Sequence, residues 1–230
     1  MSCLAIITAR GGSKRIPKKN IKDFCGKPII AYSIEAAISS KLFDEVMVST
    51  DDEEIAEIAK LYGAKVPFFR SEKNSDDFAT TADVLDEVIN KYKNELNKKY
   101  DYICCIYPTA PFITANKLKE VYNLLILKKA DTVIPVVKYS FPPQRCFIIN
   151  NRNCLQYKWP ENQKKRSQDL ESYYHDAGQF YFYKADVLYN ITEQMDIIPY
   201  ILSDLEVQDI DNEEDWKIAE IKYRILNNRK

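Results

Sequence analysis

The sequence predicts an α/β fold: three α/β/α layers around a mostly parallel sheet, in one domain over residues 1–230 with an excursion at 138–175. Three observations predict it. Short apolar runs alternate with longer stretches of helical periodicity, the pattern of βαβ units. A glycine pair ringed by cations directly follows the first run, where an α/β strand hands over to a functional loop. The alternation stops after Val137, where prolines, paired asparagines and a basic cluster replace it.

Residues 4–7 (LAII) form a continuous apolar run and read as a buried strand. Residues 28–39 read as a helix with Pro28 in its first turn, where a missing N–H costs nothing. Residues 46–49 are the second strand. Thr50 and Glu53 have capping-box spacing ahead of Ile55, Ile58, Ala59 and Tyr62 at helical intervals. Residues 66–69 are short and apolar, a third strand. Residues 80–98 place Val84, Leu85, Val88, Ile89, Tyr92 and Leu96 on one face of a long helix. Thr80 is its N-cap, with Asp83 as the box partner. Residues 102–106 are a central strand, 114–128 repeat the helical pattern and 132–137 are a further strand. The excursion holds Pro142-Pro143, a hairpin around Asn150-Asn151, and Lys164-Lys165-Arg166. Strand patterning returns at 178–183. Residues 212–226 close the chain as a helix with Trp216, Ala219, Tyr223 and Leu226 on one face.

Lys plus Arg total 33 and Asp plus Glu 34, a net charge of −1. That is no footprint for general nucleic-acid binding. Hydrophobic residues at 46% and charged residues at 29% are a globular balance. No apolar run reaches the roughly 18 residues of a membrane span. The first residues lack a basic region and a cleavage site, so they read as a strand and not a signal peptide. The expectation is a cytoplasmic protein with neither membrane nor nucleic-acid partners. Its six cysteines contain no C-x-x-C pair and are expected as free thiols. One histidine and scattered cysteines make no zinc ligand set.

Residues 9–20 (ARGGSKRIPKKN) carry Arg10, Lys14, Arg15, Lys18 and Lys19 around Gly11, Gly12 and Ser13. Adjacent glycines let backbone N–H groups approach an anion closely. Such a cluster can neutralise a triphosphate before a nucleophile approaches. A solvated basic loop is the alternative, and position after the first strand favours phosphate. The loop matches neither G-x-x-x-x-G-K-[ST] nor G-x-G-x-x-G, which excludes a P-loop NTPase and a dinucleotide dehydrogenase of the usual kind. Asp209 and Asp211 stand at i and i+2, on one face of an extended segment. Two such carboxylates, with phosphates and waters, suit Mg²⁺. Acidic residues ahead of a helix are also common caps, so Asp211 or Asn212 has that second reading.

The first strand, ARGGSKRIPKKN and the following GKPIIAYSIEAA resemble the CMP-sugar synthetases. These cytidylyltransferases activate sialic, pseudaminic and legionaminic acids and the eight-carbon acid Kdo. The resemblance runs on through Val48-Ser49-Thr50-Asp51, Arg70, 76–81, Pro108-Thr109-Ala110-Pro111, Gly178 and Asp209-Ile210-Asp211, over nearly the whole chain. Residues 168–181 and 206–211 are most similar to the branch acting on pseudaminic acid.

The resemblance implies a nucleotidyltransferase fold and a reaction in which the C2 hydroxyl of a nine-carbon keto acid attacks the α-phosphorus of CTP. It implies that Arg10, Lys14 and Lys19 hold the triphosphate, and that Asn20, Arg70, Asp76, Thr80 and Thr81 lie at the nucleotide. Tyr107, Thr109, Arg166, Gln168, His175, Asp176 and Gln179 are the candidates for the sugar. It further implies Mg²⁺ on Asp209 and Asp211. Pairing into a homodimer through the excursion would let Arg166, with Lys138 or Lys165, reach the partner's ligand. A lone histidine is more often structural than catalytic, so His175 keeps both readings. A nucleotide-binding module without catalysis is the reading from a different class.

Overall fold

The computed structural model describes residues 1–189 and 195–228. Strand β1 (Cys3–Thr8) is flanked in parallel by β4 (Glu45–Ser49) and β5 (Tyr102–Ile106). Beyond β5 the sheet continues through β10 (Phe180–Lys184), β6 (Thr132–Lys138) and β11 (Ile197–Leu202), while β9 (Tyr174–Asp176) also pairs with β6. Five of these seven strands share one direction, and β9 and β10 run against them. The sheet is therefore mixed, with the reversed strands entering after the excursion.

Alternation along β1 builds two cores. Cys3, Ala5 and Ile7 face α1 (Ile29–Ser40), α2 (Glu53–Leu61) and α4 (Ala115–Lys128). Leu4 and Ile6 face the opposite way, onto Leu85, Val88, Ile89 and Tyr92 of α3 (Thr81–Glu95). Both faces of the strand are covered, which is why the run is continuously apolar. A short hairpin, β2 (Asp23–Phe24) with β3 (Lys27–Pro28), carries Phe24 against Tyr32, Trp216 and Tyr223 in edge-to-face contacts. Those contacts dock the closing helix α6 (Glu213–Asn227) beside the loop after β1.

Several expectations are corrected. Residues 66–69 form no strand. Lys65 makes a single bridge to Met47, and Pro67 then has no N–H to extend the ladder. Residue Asp52, not Thr50, caps α2, accepting from the Ile55 N–H at 3.0 Å. Pro28 is the residue before α1 and also pairs in β3. Helix α3 ends at Glu95, short of the expected Lys98, but Thr80 and Asp83 form the capping box as read. The expected hairpin is present as β7 (Phe147–Ile149) and β8 (Leu155–Tyr157). A short helix, α5 (Ala185–Tyr189), follows β10. No helix among the described residues is long and apolar enough to cross a membrane.

Candidate active site

A cleft of about 560 Å³ opens beyond the carboxyl ends of β1 and β5. Of the residues picked from sequence, Arg10, Ser13, Lys14, Lys19, Asn20, Arg70, Thr80, Thr81, Tyr107 and Thr109 line it. The loop after β1 enters a left-handed turn at Lys18 (φ 51°), which leads into a short 3₁₀ turn at Lys19–Ile21. That turn sends Lys18 out to Glu54 on α2 and Lys19 inward to the Ile210 carbonyl at 2.7 Å. Burial lowers the pKa of the Lys19 ammonium, against the opposing pull of Asp211 and Asp209. Asn20 is buried and donates to the Arg10 carbonyl at 2.8 Å. Arg70 is buried too, bonded to the Ser49 hydroxyl (3.0 Å) and carbonyl (2.6 Å); burial lowers its pKa first, with Asp51 and Glu87 opposing.

Gly11 does something other than expected. The Gly11 N–H is taken by Asp51 at 2.9 Å, so it is not held free for an anion. A Cβ at Gly11 would lie 2.7 Å from the Asp52 carboxylate oxygen and 2.9 Å from its Cβ. The glycine is therefore required by the close approach of this loop to the α2 cap. At Gly12 an added Cβ would meet open space.

Asp76 also has a different place. Its carboxylate accepts from the N–H groups of Phe78 (2.9 Å) and Ala79 (2.8 Å), shaping its own loop. Its neighbour Asp77 lines the cleft and pairs with Arg10 at 2.9 Å and with Lys14. Reading from sequence missed Asp77. Only the turn at Asp76 decides which of two adjacent aspartates faces the cations.

The Asp209–Asp211 segment borders this loop. Arg15, which lines the cleft, pairs with the Asp211 carboxylate at 2.7 Å. The cap of α6 is Asn212, which accepts from the Glu214 and Asp215 N–H groups, so Asp211 is not spent as a cap. Asp209 is exposed. Among the described residues no third His, Cys, Asp or Glu makes a ready ligand group with them. Two hard oxygen donors beside a cluster of cations would nevertheless suit Mg²⁺, which keeps several waters and is bound through one or two carboxylates.

The residues picked for the sugar divide. Tyr107 hydrogen-bonds Thr81 (3.0 Å) and packs edge-on to Tyr181 (5.5 Å). The Tyr181 hydroxyl, missed from sequence, donates to both Asp176 oxygens at 3.0 Å, and the Gly178 N–H holds the same carboxylate at 2.7 Å. Gln179 does not face the cleft. It is 3% exposed and donates its amide to the Glu206 carbonyl at 2.6 Å. Its backbone carbonyl accepts the Tyr107 N–H at 2.8 Å, so the residue braces two site loops from behind. His175 Nδ1 meets the Asp176 carbonyl at 2.8 Å, and its ring packs on Tyr139 at 5.0 Å. Arg166 and Gln168 are exposed on the excursion; Arg166 pairs with Asp169 at 2.8 Å. Neither lines the cleft of its own chain.

The family profile of the cytidylyltransferases matches residues 4–221. The chain belongs to this family. This cytidylyltransferase is 42% identical over 231 residues to the pseudaminic acid cytidylyltransferase of Campylobacter jejuni, over 98% of this chain and 97% of that one. It is 32% identical over 235 residues to the CMP-N,N'-diacetyllegionaminic acid synthase of Legionella pneumophila, over 96% of this chain and 95% of that one. Among solved structures it is similar to a CMP:2-keto-3-deoxy-manno-octonic acid synthetase complexed with CTP. There the TM-score is 0.70 at 20% identity, over 99% of this chain and 100% of that one. At that identity the likeness is one of fold.

Proposed function

We propose that this cytidylyltransferase activates pseudaminic acid with CTP, giving the CMP-sugar and pyrophosphate. The observation that carries the substrate is 42% identity along almost the full length to a pseudaminic acid cytidylyltransferase, against 32% to the legionaminic relative. In this reading Arg10, Lys14 and Lys19 bind the triphosphate and meet the charge that develops on the leaving pyrophosphate. Thr80, Thr81 and Arg70 shape the nucleotide side, and Tyr107, Thr109 and Asp176 the sugar side. The C2 hydroxyl oxygen bonds to the α-phosphorus as the bond to pyrophosphate breaks, and the hydroxyl proton passes to solvent. Asp209 and Asp211 hold Mg²⁺, which supplies Lewis acidity and charge screening at the phosphates. Lys19, through the Ile210 carbonyl between them, sets the distance of both carboxylates from the cradle.

We further infer a two-fold homodimer. The excursion exposes Phe141 (87%), Ile149 (68%) and Leu155 (68%) around a three-residue-per-strand hairpin that has no core of its own. Apolar surface of this kind marks an interface, and a second copy supplies a self-complementary one. Arg166 and Gln168 then serve the partner's site.

The test is pyrophosphate release from CTP with pseudaminic, N,N'-diacetyllegionaminic and N-acetylneuraminic acids, each with Mg²⁺. Pseudaminic acid is expected to lead in kcat/KM by roughly tenfold or more. Preference for another acid overturns the substrate. No release with any of them overturns the catalytic reading.

A further inference from the structure

We propose that Asp77 is an internal counter-anion of the phosphate site. Between turnovers its carboxylate holds Arg10 and Lys14; it yields them to the triphosphate and reclaims them as pyrophosphate leaves. This rests on the reading of the cleft as a CTP site.

The geometry carries it. Both Asp77 oxygens are engaged, one by Arg10 Nη2 at 2.9 Å and the other by Lys14 Nζ. All three residues line the same cleft. The carboxylate therefore sits on the two cations that a polyphosphate oxygen would take, and it does so with an anion's charge and bidentate shape. Asp76 presents it. The Asp76 carboxylate turns the chain through the Phe78 and Ala79 N–H groups, and the Asp76 carbonyl accepts a second Arg10 N–H. Arg10 thus keeps an anchor when Asp77 lets go.

Energetics favour exchange over a permanent lock. Asp77 is 42% exposed and Lys14 78%, and ion pairs this wet are weak and screened. A polyphosphate brings more charge to the same two cations and displaces a single carboxylate. The carboxylate still competes, and a competing internal anion lowers apparent affinity by the fraction of sites it occupies. The same competition eases pyrophosphate out.

The sign of one substitution separates this from a positioning role. If Asp77 merely steadied Arg10 and Lys14, its loss would weaken anion binding. If Asp77 competes, its loss tightens it. Glu54 provides the control, since it pairs with Lys18, a loop cation outside the cleft lining.

The experiment is calorimetric titration of inorganic pyrophosphate into the full chain at fixed ionic strength, without divalent cation. Asp77→Asn and Asp77→Ala are both expected to bind about three- to tenfold tighter than the parent. Glu54→Gln is expected within about twofold of it, and Arg10→Ala weaker. Unchanged or weaker binding in both Asp77 variants, with Arg10→Ala weakened, overturns the proposal and leaves the CTP site standing. Tightening in Glu54→Gln equal to that in Asp77→Asn also overturns it, since net charge alone would then account for the effect. An Arg10→Ala chain that binds pyrophosphate as the parent does overturns the phosphate cleft itself, and this proposal with it.

Discussion

The loop after β1 and the excursion at 138–175 are both rich in cations, and they are built in opposite ways. In the loop every charged side chain has an address. Arg10 and Lys14 meet Asp77, Arg15 meets Asp211, Lys18 meets Glu54 and Lys19 meets a carbonyl. Glu54 stands on α2, and the other partners lie in the short loops that lead into α3 and α6, so the site is assembled from loops at one edge of the sheet. In the excursion Arg166 finds only Asp169, three residues away, and large apolar side chains face outward. The contrast teaches that one chain by itself fixes the cations of the cleft, while the excursion leaves large apolar side chains uncovered.

The largest effect tests the better-built region. Asp209→Ala and Asp211→Ala should each lower turnover by about a thousandfold or more at saturating CTP. Neither is buried in the core, so the melting transition should stay close to the parent's. Near-parental turnover at limiting Mg²⁺ in either variant would break the metal assignment.

A smaller effect separates neighbours in the loop. Lys19→Ala should cost roughly a hundredfold in kcat/KM, and Lys18→Ala within about twofold. Equal, small losses in both would mean a solvated basic loop. The pKa of Lys19 lies below the ordinary 10.5 because of burial. Its positive charge is therefore lost at lower pH than in a free lysine. CTP binding should weaken on the alkaline side before pH 10.5, and Lys19→Arg should move that fall to higher pH.

The smallest signal, a partial recovery of activity, bears on the excursion. Arg166→Ala and Asp211→Ala chains, each nearly inactive, should on mixing recover up to about half the activity per site, because one site of the mixed dimer is intact. No recovery despite subunit exchange would put Arg166 in its own chain's site or in none. A monomer by light scattering would remove the dimer altogether.

Legibility followed the range of the physics. The first strand, the Thr80–Asp83 box and the hairpin near Asn150 depend on neighbours a few residues apart, and periodicity and cap chemistry reveal those. Residues 66–69 were misread because an apolar run looks the same whether or not a ladder forms beside it, and Pro67 decides that. Strand β11 lies far along the chain from its partner β6, and no local pattern marked it. Gln179 reads as a sugar ligand because its amide suits a polyhydroxylated, N-acylated acid; its burial behind Tyr107 and Glu206 is a matter of packing.

The α/β class, the cationic loop after the first strand and the paired carboxylates at 209 and 211 are legible in the chain alone. These are properties of composition and short spacing, and every one survives without knowledge of long-range contacts. Folding settles that Asp77 and not Asp76 faces the cations, that Gly11 is demanded by Asp52 and that Arg15 holds Asp211. Those assignments join residues 67, 41 and 196 positions apart along the chain, and they depend on which way a turn aims a side chain, a direction set when the sheet brings its loops to one edge.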